Sequence, residues 1–176
     1  VILSSTLLFF ILGVLTVKDL EEIPWNIILL FSGAMSIGFC LWQTGAAEWM
    51  AVRWLGLLQG AHWFVFVMGI AAFVLLMTNF IMNVAAIAIV LPVALVIAKY
   101  LGVAPDVVMY ASLVTAGMPF VLLIGAAPNA IAYDSKQFTT GEFFKHGLPM
   151  SLLLLIVLGL ATVTLWPLLG MPILVE

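Results

Sequence analysis

The stretch Phe73–Pro92, FVLLMTNFIMNVAAIAIVLP, carries Thr78, Asn79 and Asn83 in the middle of a long apolar run. An unpaired amide in hydrocarbon costs several kcal/mol, so polar groups at such a place need partners or a role. Further on, Gly125-Ala126-Ala127-Pro128-Asn129 interrupts a second apolar run. Two interrupted hydrophobic segments are the pattern by which broken helices form an ion or solute site inside a membrane.

Around these two islands the chain is 66% hydrophobic and 7% charged, with mean hydropathy +1.34. A soluble domain carries roughly 25% charged residues, so this composition could not cover a surface in water. It reads as an all-α polytopic transmembrane protein in a lipid bilayer; the plasma (inner) membrane is the expected location. At about twenty apolar residues per pass, the chain holds roughly five or six passes. A net charge of -3 without a basic patch gives no footing for nucleic acid. Cys40 stands alone, which excludes an intrachain disulfide. Val1 opens inside an apolar run with no Met or basic leader, so a piece of a longer protein is expected. No internal repeat is evident, and a carrier with its site between two repeats needs about twice this length. One half of such a protein is expected.

Val1–Val17 reads as the end of a transmembrane helix, and Lys18-Asp19-Leu20-Glu21-Glu22 as a connector in water or at an interface. Ile23-Pro24-Trp25 opens the next span, Trp25–Trp42, since proline suits a first helical turn and tryptophan the headgroup region. Its small residues Ser32, Gly33, Ser36 and Gly38 are assigned to close helix approach rather than to a ligand. Gln43–Gly60, with Glu48 and Arg53 among Trp49, Met50, Trp54 and Leu55, reads as an interfacial helix. Ala61–Ala98 fits two tight spans or a re-entrant hairpin with its tip at Thr78–Asn83. The hairpin is preferred, because irregular backbone at depth belongs beside protein or a watery cavity. Pro92 would kink or pack its returning arm.

After the loop Lys99–Asp106, Val107–Ile124 is expected to span, to break at Gly125–Asn129 and to resume as far as Tyr133. Asp134–Gly147 reads as a polar connector in which Thr140-Gly141-Glu142 starts a helix by capping. Leu148–Leu169 is the last span. Residues 1–60 are thus expected as transmembrane helices with interfacial connectors, and residues 61–176 as a region with hairpin (61–98), broken helix (107–133) and last span (148–169). Lys18, Lys136 and Lys145 fall on one face and Arg53 and Lys99 on the other, which makes the first face cytoplasmic by the positive-inside rule.

The islands suit a cation. Sodium takes oxygen ligands, and carbonyls freed by a helix break supply them. Thr78 adds a hydroxyl and Asn83 an amide oxygen, and Pro128 frees a carbonyl by having no N–H to donate. An anion can also be held, by the unpaired N–H groups and partial positive charge of helix starts, without a buried basic residue. The plainer alternative is that these side chains only bond across to neighbouring helices, worth about 0.6 kcal/mol each. Enzyme chemistry finds no support. There is no His-x-x-x-His pair and no Gly-x-Ser-x-Gly, and His62 and His146 sit near span ends. Glu48, Asp106, Asp134 and Glu142 all fall in connectors, which disfavours an intramembrane proton relay.

In the order of its features the chain resembles the C-terminal repeat of the divalent anion/sodium symporter family, within the wider ion transporter superfamily. The resemblance rests on the Pro24-Trp25 span with its glycine-rich centre and the Thr78-x-Phe80-x-x-Asn83 tip. It continues through the Ile89–Pro92 return, Pro128-Asn129-Ala130-Ile131, and the connector Glu142–Gly147. It implies one inverted-repeat half of an elevator-type carrier, working as a homodimer, that couples sodium to a small divalent anion: a dicarboxylate, citrate or sulfate. By position, Thr78, Ile81, Asn83 and Gly125 would form a sodium site, Ile81 and Gly125 through backbone oxygen. Met82, Asn83 and Val84 would occupy one substrate-contacting triplet, and Ala126, Ala127 and Pro128 the other. Met82, Val84 and Ala126 stand where the family has hydroxyls, which weakens recognition of the family's usual anions. The alternatives are another permease or exchanger of the superfamily (arsenite or anion, sodium/proton) and a non-transporting scaffold subunit.

Overall fold

The computed structural model describes residues 2–16, 18 and 25–174. The connector Asp19–Glu22 and the Ile23-Pro24 opening lie outside the described residues. Everything regular among the described residues is helical, apart from an isolated bridge between Val103 and Leu174.

Helix α1 (Ile2–Ile11) is followed by α2 (Trp25–Gln43) and, after a left-handed Gly45, by α3 (Ala46–Gly56). The axes of Ile28–Gln43 and α3 meet at 66°. Gly45, at φ 73, makes that corner without the penalty a β-carbon would bring. Helix α3 is not merely laid on a surface: Ala47, Ala51 and Leu55 are fully buried along one stripe, and the helix packs against α5.

Helices α4 (Trp63–Met77) and α5 (Asn83–Tyr100) form a hairpin whose tip is residues 78–82. His62 caps α4 by accepting from the Phe64 N–H at 3.4 Å. The core lies where both arms meet α6 (Pro105–Ala116). Val67, Ile70, Ala71 and Val74 face Ala86, Val90 and Ala94, with Val107, Val108 and Ala111 closing the third side, all essentially without exposure. Small residues at Ala86, Val90 and Ala94, four apart, let the backbones approach, which is how helices associate where lipid removes the usual hydrophobic drive. Pro92 sits on the exposed side of α5 inside a continuous helix.

The third helix of the core ends earlier than expected. The sequence reading carries the span to Ile124 and breaks it at Gly125–Asn129, whereas α6 stops at Ala116. Pro119 is the reason: it disfavours helical geometry at Met118 and offers no N–H to continue the ladder. Residues 117–122 run irregularly, Leu123–Gly125 make a 3-10 turn, and α7 (Ala127–Asp134) follows. Asn129 therefore lies inside a helix. Pro128 occupies the first turn of α7, where an N–H would be free in any case, so it opens no carbonyl of its own.

The last span also starts earlier than expected. Helix α8 (Thr140–Leu160) continues through a π turn at Ala161–Leu165 into α9 (Trp166–Leu168). Glu142, Lys145 and His146 are thus helical rather than in a connector. The cap is Thr139, one residue before the expected Thr140. Its hydroxyl accepts from the Glu142 N–H at 3.2 Å, and a Glu142 carboxylate oxygen accepts from the Thr139 N–H at 2.7 Å.

Among the described residues α5 and the Thr140–Leu168 helix are long and apolar enough to cross a membrane, and the bent α2–α3 pair is a third candidate. Among the described residues that makes two or three candidates by length and composition, against the five or six passes expected. A residue count cannot see that one apolar run is a hairpin with a 15-residue arm, and another a helix cut by Pro119. Leu152, Leu153, Ile156, Val157 and Leu160 leave α8 more than half exposed on an apolar face, as lipid contact requires.

Thr139→Ala removes one partner of the capping box and is expected to lower stability by about 1 kcal/mol. Faster amide exchange confined to the first turn of α8 is the accompanying signature. Unchanged exchange there would show that the cap contributes nothing.

Candidate ion and solute site

An interrupted helix in an apolar medium must find new partners for the backbone groups it frees. Two asparagine side chains supply them. Asn79, at the hairpin tip and almost fully buried, donates through Nδ2 to the Leu75 carbonyl at 2.7 Å. Its Oδ1 accepts from the N–H groups of Leu122 (2.9 Å) and Val121 (3.1 Å). From the other side, Asn129 Nδ2 donates to the Pro119 carbonyl at 2.9 Å. The irregular segment after α6 is therefore held by the hairpin in front and α7 behind. Removing either amide would leave buried backbone groups unpaired, at about 1–3 kcal/mol each. Neither asparagine is among the expected ion or anion residues. The signal was present: an amide in an apolar run with no motif role must still be paired.

Close packing brings the two islands together. A β-carbon added to Gly125 would lie 2.7 Å from Pro119 Cβ, 3.2 Å from the Thr78 carbonyl oxygen and 3.3 Å from Asn79 Cα. On the side of α2, one added to Gly38 would lie 2.9 Å from the Phe80 oxygen and 3.2 Å from Ile81 Cα. Of the small residues on α2, Gly38 makes this approach, while Gly33 has open space around it. A β-carbon on Gly147 of α8 would overlap the Phe120 carbonyl. Helix α2, the Leu123–Gly125 turn and α8 thus meet the tip or the break, each through a glycine.

Of the expected cation ligands, Thr78 is fully buried and donates its hydroxyl to the Leu75 carbonyl at 3.1 Å, leaving lone pairs on the oxygen. The carbonyl oxygens of Thr78, Ile81 and Gly125 accept no backbone hydrogen bond among the described residues. Asn83 begins α5, and its Oδ1 is enclosed without a hydrogen-bond partner. Ser112, Thr115, Ser151 and Thr162, buried elsewhere, all donate to the carbonyl four residues back in their own helices. Those hydroxyls are satisfied locally and mark no site.

The expected anion residues are split. Met82 and Val84 are exposed and line a cavity of about 610 Å³ between α2 and the hairpin, shared with Met35, Phe39, Trp42 and Ala88. Ala126 is half-buried, and Ala127 and Pro128 are exposed at the start of α7; none of the three lines that cavity. At the start of α5 the N–H groups of Asn83, Val84 and Ala85 make no backbone bond among the described residues, and the first ladder bond is Ala86 to Met82. At α7, Asn129 and Ala130 both donate to Ala126, which leaves the Ala127 N–H. Helix α5 therefore offers the larger set of donors to an anion.

Gly125→Ala forces its new methyl against Pro119 and the Thr78 carbonyl, and is expected to cost about 1–3 kcal/mol in the sodium-free full-length protein. Gly141→Ala, where nothing lies within 4 Å, serves as the control. Equal thermal midpoints for the two would refute the close approach.

The family described as the sodium:sulfate symporter transmembrane region matches residues 1–172. The human Na(+)/dicarboxylate cotransporter 3 is 32% identical over 144 residues, covering 82% of this chain and 24% of that protein. The sodium-dependent dicarboxylate transporter SdcS of Staphylococcus saprophyticus is 27% identical over 147 residues, covering 84% of this chain and 28% of its own. An uncharacterised transporter of Methanocaldococcus jannaschii is 27% identical over 165 residues, 94% of this chain and 36% of its own. The chain thus spans little more than a third of the relatives it matches, or less. The match runs over nearly the whole chain, on helices with apolar outer faces, and the family is one of transporters, not of enzymes. The chain belongs to the sodium:sulfate symporter family, the divalent anion/sodium symporters, and is an integral membrane protein.

Proposed function

We propose that this chain is the C-terminal half of a sodium-coupled carrier for a small divalent anion. The observation that carries the reading is the Asn83 Oδ1, an enclosed acceptor without a partner beside a helix break. A buried acceptor left unpaired costs about 1–3 kcal/mol, a cost that a bound cation removes. Thr78 Oγ1, the carbonyls of Ile81 and Gly125, and Asn83 Oδ1 are the oxygens of the proposed sodium site. The contact of Gly125 with the Thr78 carbonyl supports their grouping. Sodium is the coupling ion, as the names of the relatives suggest.

The anion is held by the free N–H groups of α5 between Met82, Asn83 and Val84, with Ala126, Ala127 and Pro128 on the far side. None of these residues is basic, so the co-bound cation offsets part of its charge. Relatives are named for dicarboxylate and citrate, and a dicarboxylate, citrate or sulfate is the substrate class. The N-terminal repeat contributes the other half of the site. The whole protein works as a homodimer in the plasma membrane, the re-entrant hairpin and broken helix of residues 61–176 moving as one body against a scaffold that includes residues 1–60. Met82, Val84 and Ala126 favour a second reading, another permease or exchanger of the superfamily, because these side chains offer an anion no hydroxyl.

Sodium-dependent thermal stabilisation of the full-length protein, with potassium as control, tests the reading. A ligand bound only by the folded state at a hundredfold excess over Kd adds about 2.7 kcal/mol. Stabilisation is expected in the wild type and reduced in Asn83→Ala. A protein that responds to neither the ion nor the substitution is not a sodium symporter, and the exchanger and scaffold readings then remain.

A further inference from the structure

The side chain that joins the two helix breaks is not one of those assigned to the ion or the anion. Asn79 is 3% exposed, and all three of its side-chain bonds run to backbone. One bond ties it to the outgoing arm of the hairpin at Leu75. The other two reach Val121 and Leu122, forty-two and forty-three residues along the chain. Neither of those amides has another partner among the described residues. Both acceptor directions of Oδ1 are occupied, which leaves no lone pair for a cation. The backbone of Asn79 is also the surface on which Gly125 rests. The hairpin and the second break thus meet at one residue, through its Cα and through its amide. A packing role alone would be served by an apolar side chain, at no desolvation cost.

We propose that Asn79 is a positioning residue that holds the hairpin tip and residues 119–125 in register, so that oxygens from the two breaks stay at ligand spacing. The inference rests on the sodium reading above and extends it. Thr78 and Ile81 belong to the hairpin and Gly125 to the break, so a slip between the two opens the site even with every ligand present. The Asn79 bonds resist that slip directly. Loss of the clamp lowers apparent sodium affinity and leaves anion affinity at saturating sodium close to wild type.

Three variants of the full-length protein in lipid nanodiscs test this: Asn79→Leu removes every side-chain bond, Asn79→Ser is too short to reach either amide, and Asn79→Asp keeps an acceptor for both. Two quantities are read: exchange of the Val121 and Leu122 amides without sodium, and the sodium concentration that half-saturates thermal stabilisation at fixed ionic strength. In Asn79→Leu both are expected to rise about tenfold or more, within the range usual for coupled sites, and in Asn79→Asp to stay within about threefold of wild type. Asn79→Ser should follow Asn79→Leu, and decides the matter if the leucine variant does not accumulate. Unchanged sodium half-saturation in a folded Leu or Ser variant overturns the proposal, as does equal loss in all three. A wild type indifferent to sodium removes the symporter reading and the cation half of this proposal with it. The clamp is then judged on amide exchange alone, and protected Val121 and Leu122 amides in Asn79→Ser would refute it.

Discussion

A backbone that leaves the helix inside a hydrocarbon layer exposes donors and acceptors that water cannot reach, and the structure depends on how those groups are met. Between Ala116 and Ala127 the chain gives up its ladder because Pro119 cannot take part in it. Val121 and Leu122 then offer N–H groups, and Pro119 a carbonyl. Asn79 and Asn129 meet them with the two halves of an amide, Asn79 accepting and Asn129 donating. Serine or threonine could not bridge that distance, and a charge would be costly at that depth. The hairpin tip and α7 are consequently fixed to each other through the irregular segment between them.

Shape does the rest. Gly38 admits the tip backbone against α2, Gly125 lets the break rest on Thr78 and Asn79, and Gly147 leaves room for the Phe120 carbonyl against α8. These approaches replace the hydrophobic drive that lipid removes with close van der Waals contact. The same economy appears in the core, where Ala86, Val90 and Ala94 present a narrow stripe to α6.

Against this background Asn83 stands out. The buried hydroxyls of Ser112, Thr115, Ser151 and Thr162 return to their own helices, and the amides of Asn79 and Asn129 are bonded to backbone. The oxygen of Asn83 is enclosed and unbonded, and among the described residues the carbonyls of Thr78, Ile81 and Gly125 accept nothing from the backbone. Satisfied polar groups build the fold, and the unsatisfied amide oxygen of Asn83 stands at the start of α5, next in sequence to the hairpin tip.

Much of this was legible in one dimension. Composition alone demanded a membrane, because 7% charged residues cannot solvate a surface. Two polar islands in apolar runs marked the hairpin tip and the second break, and Thr78, Asn83 and Pro128-Asn129 carried the resemblance to the family. Tertiary structure decided what those islands do for each other. Which amide bonds across forty residues of chain depends on where the segments pack, so Asn79 and Asn83, four residues apart and alike in sequence, take opposite parts. The break began at Gly117 rather than Gly125 because the cost of Pro119 outweighed the apolar character that suggested a longer helix. Helix α3 buries Ala47, Ala51 and Leu55 along one face and packs against α5, a partner that periodicity could not name.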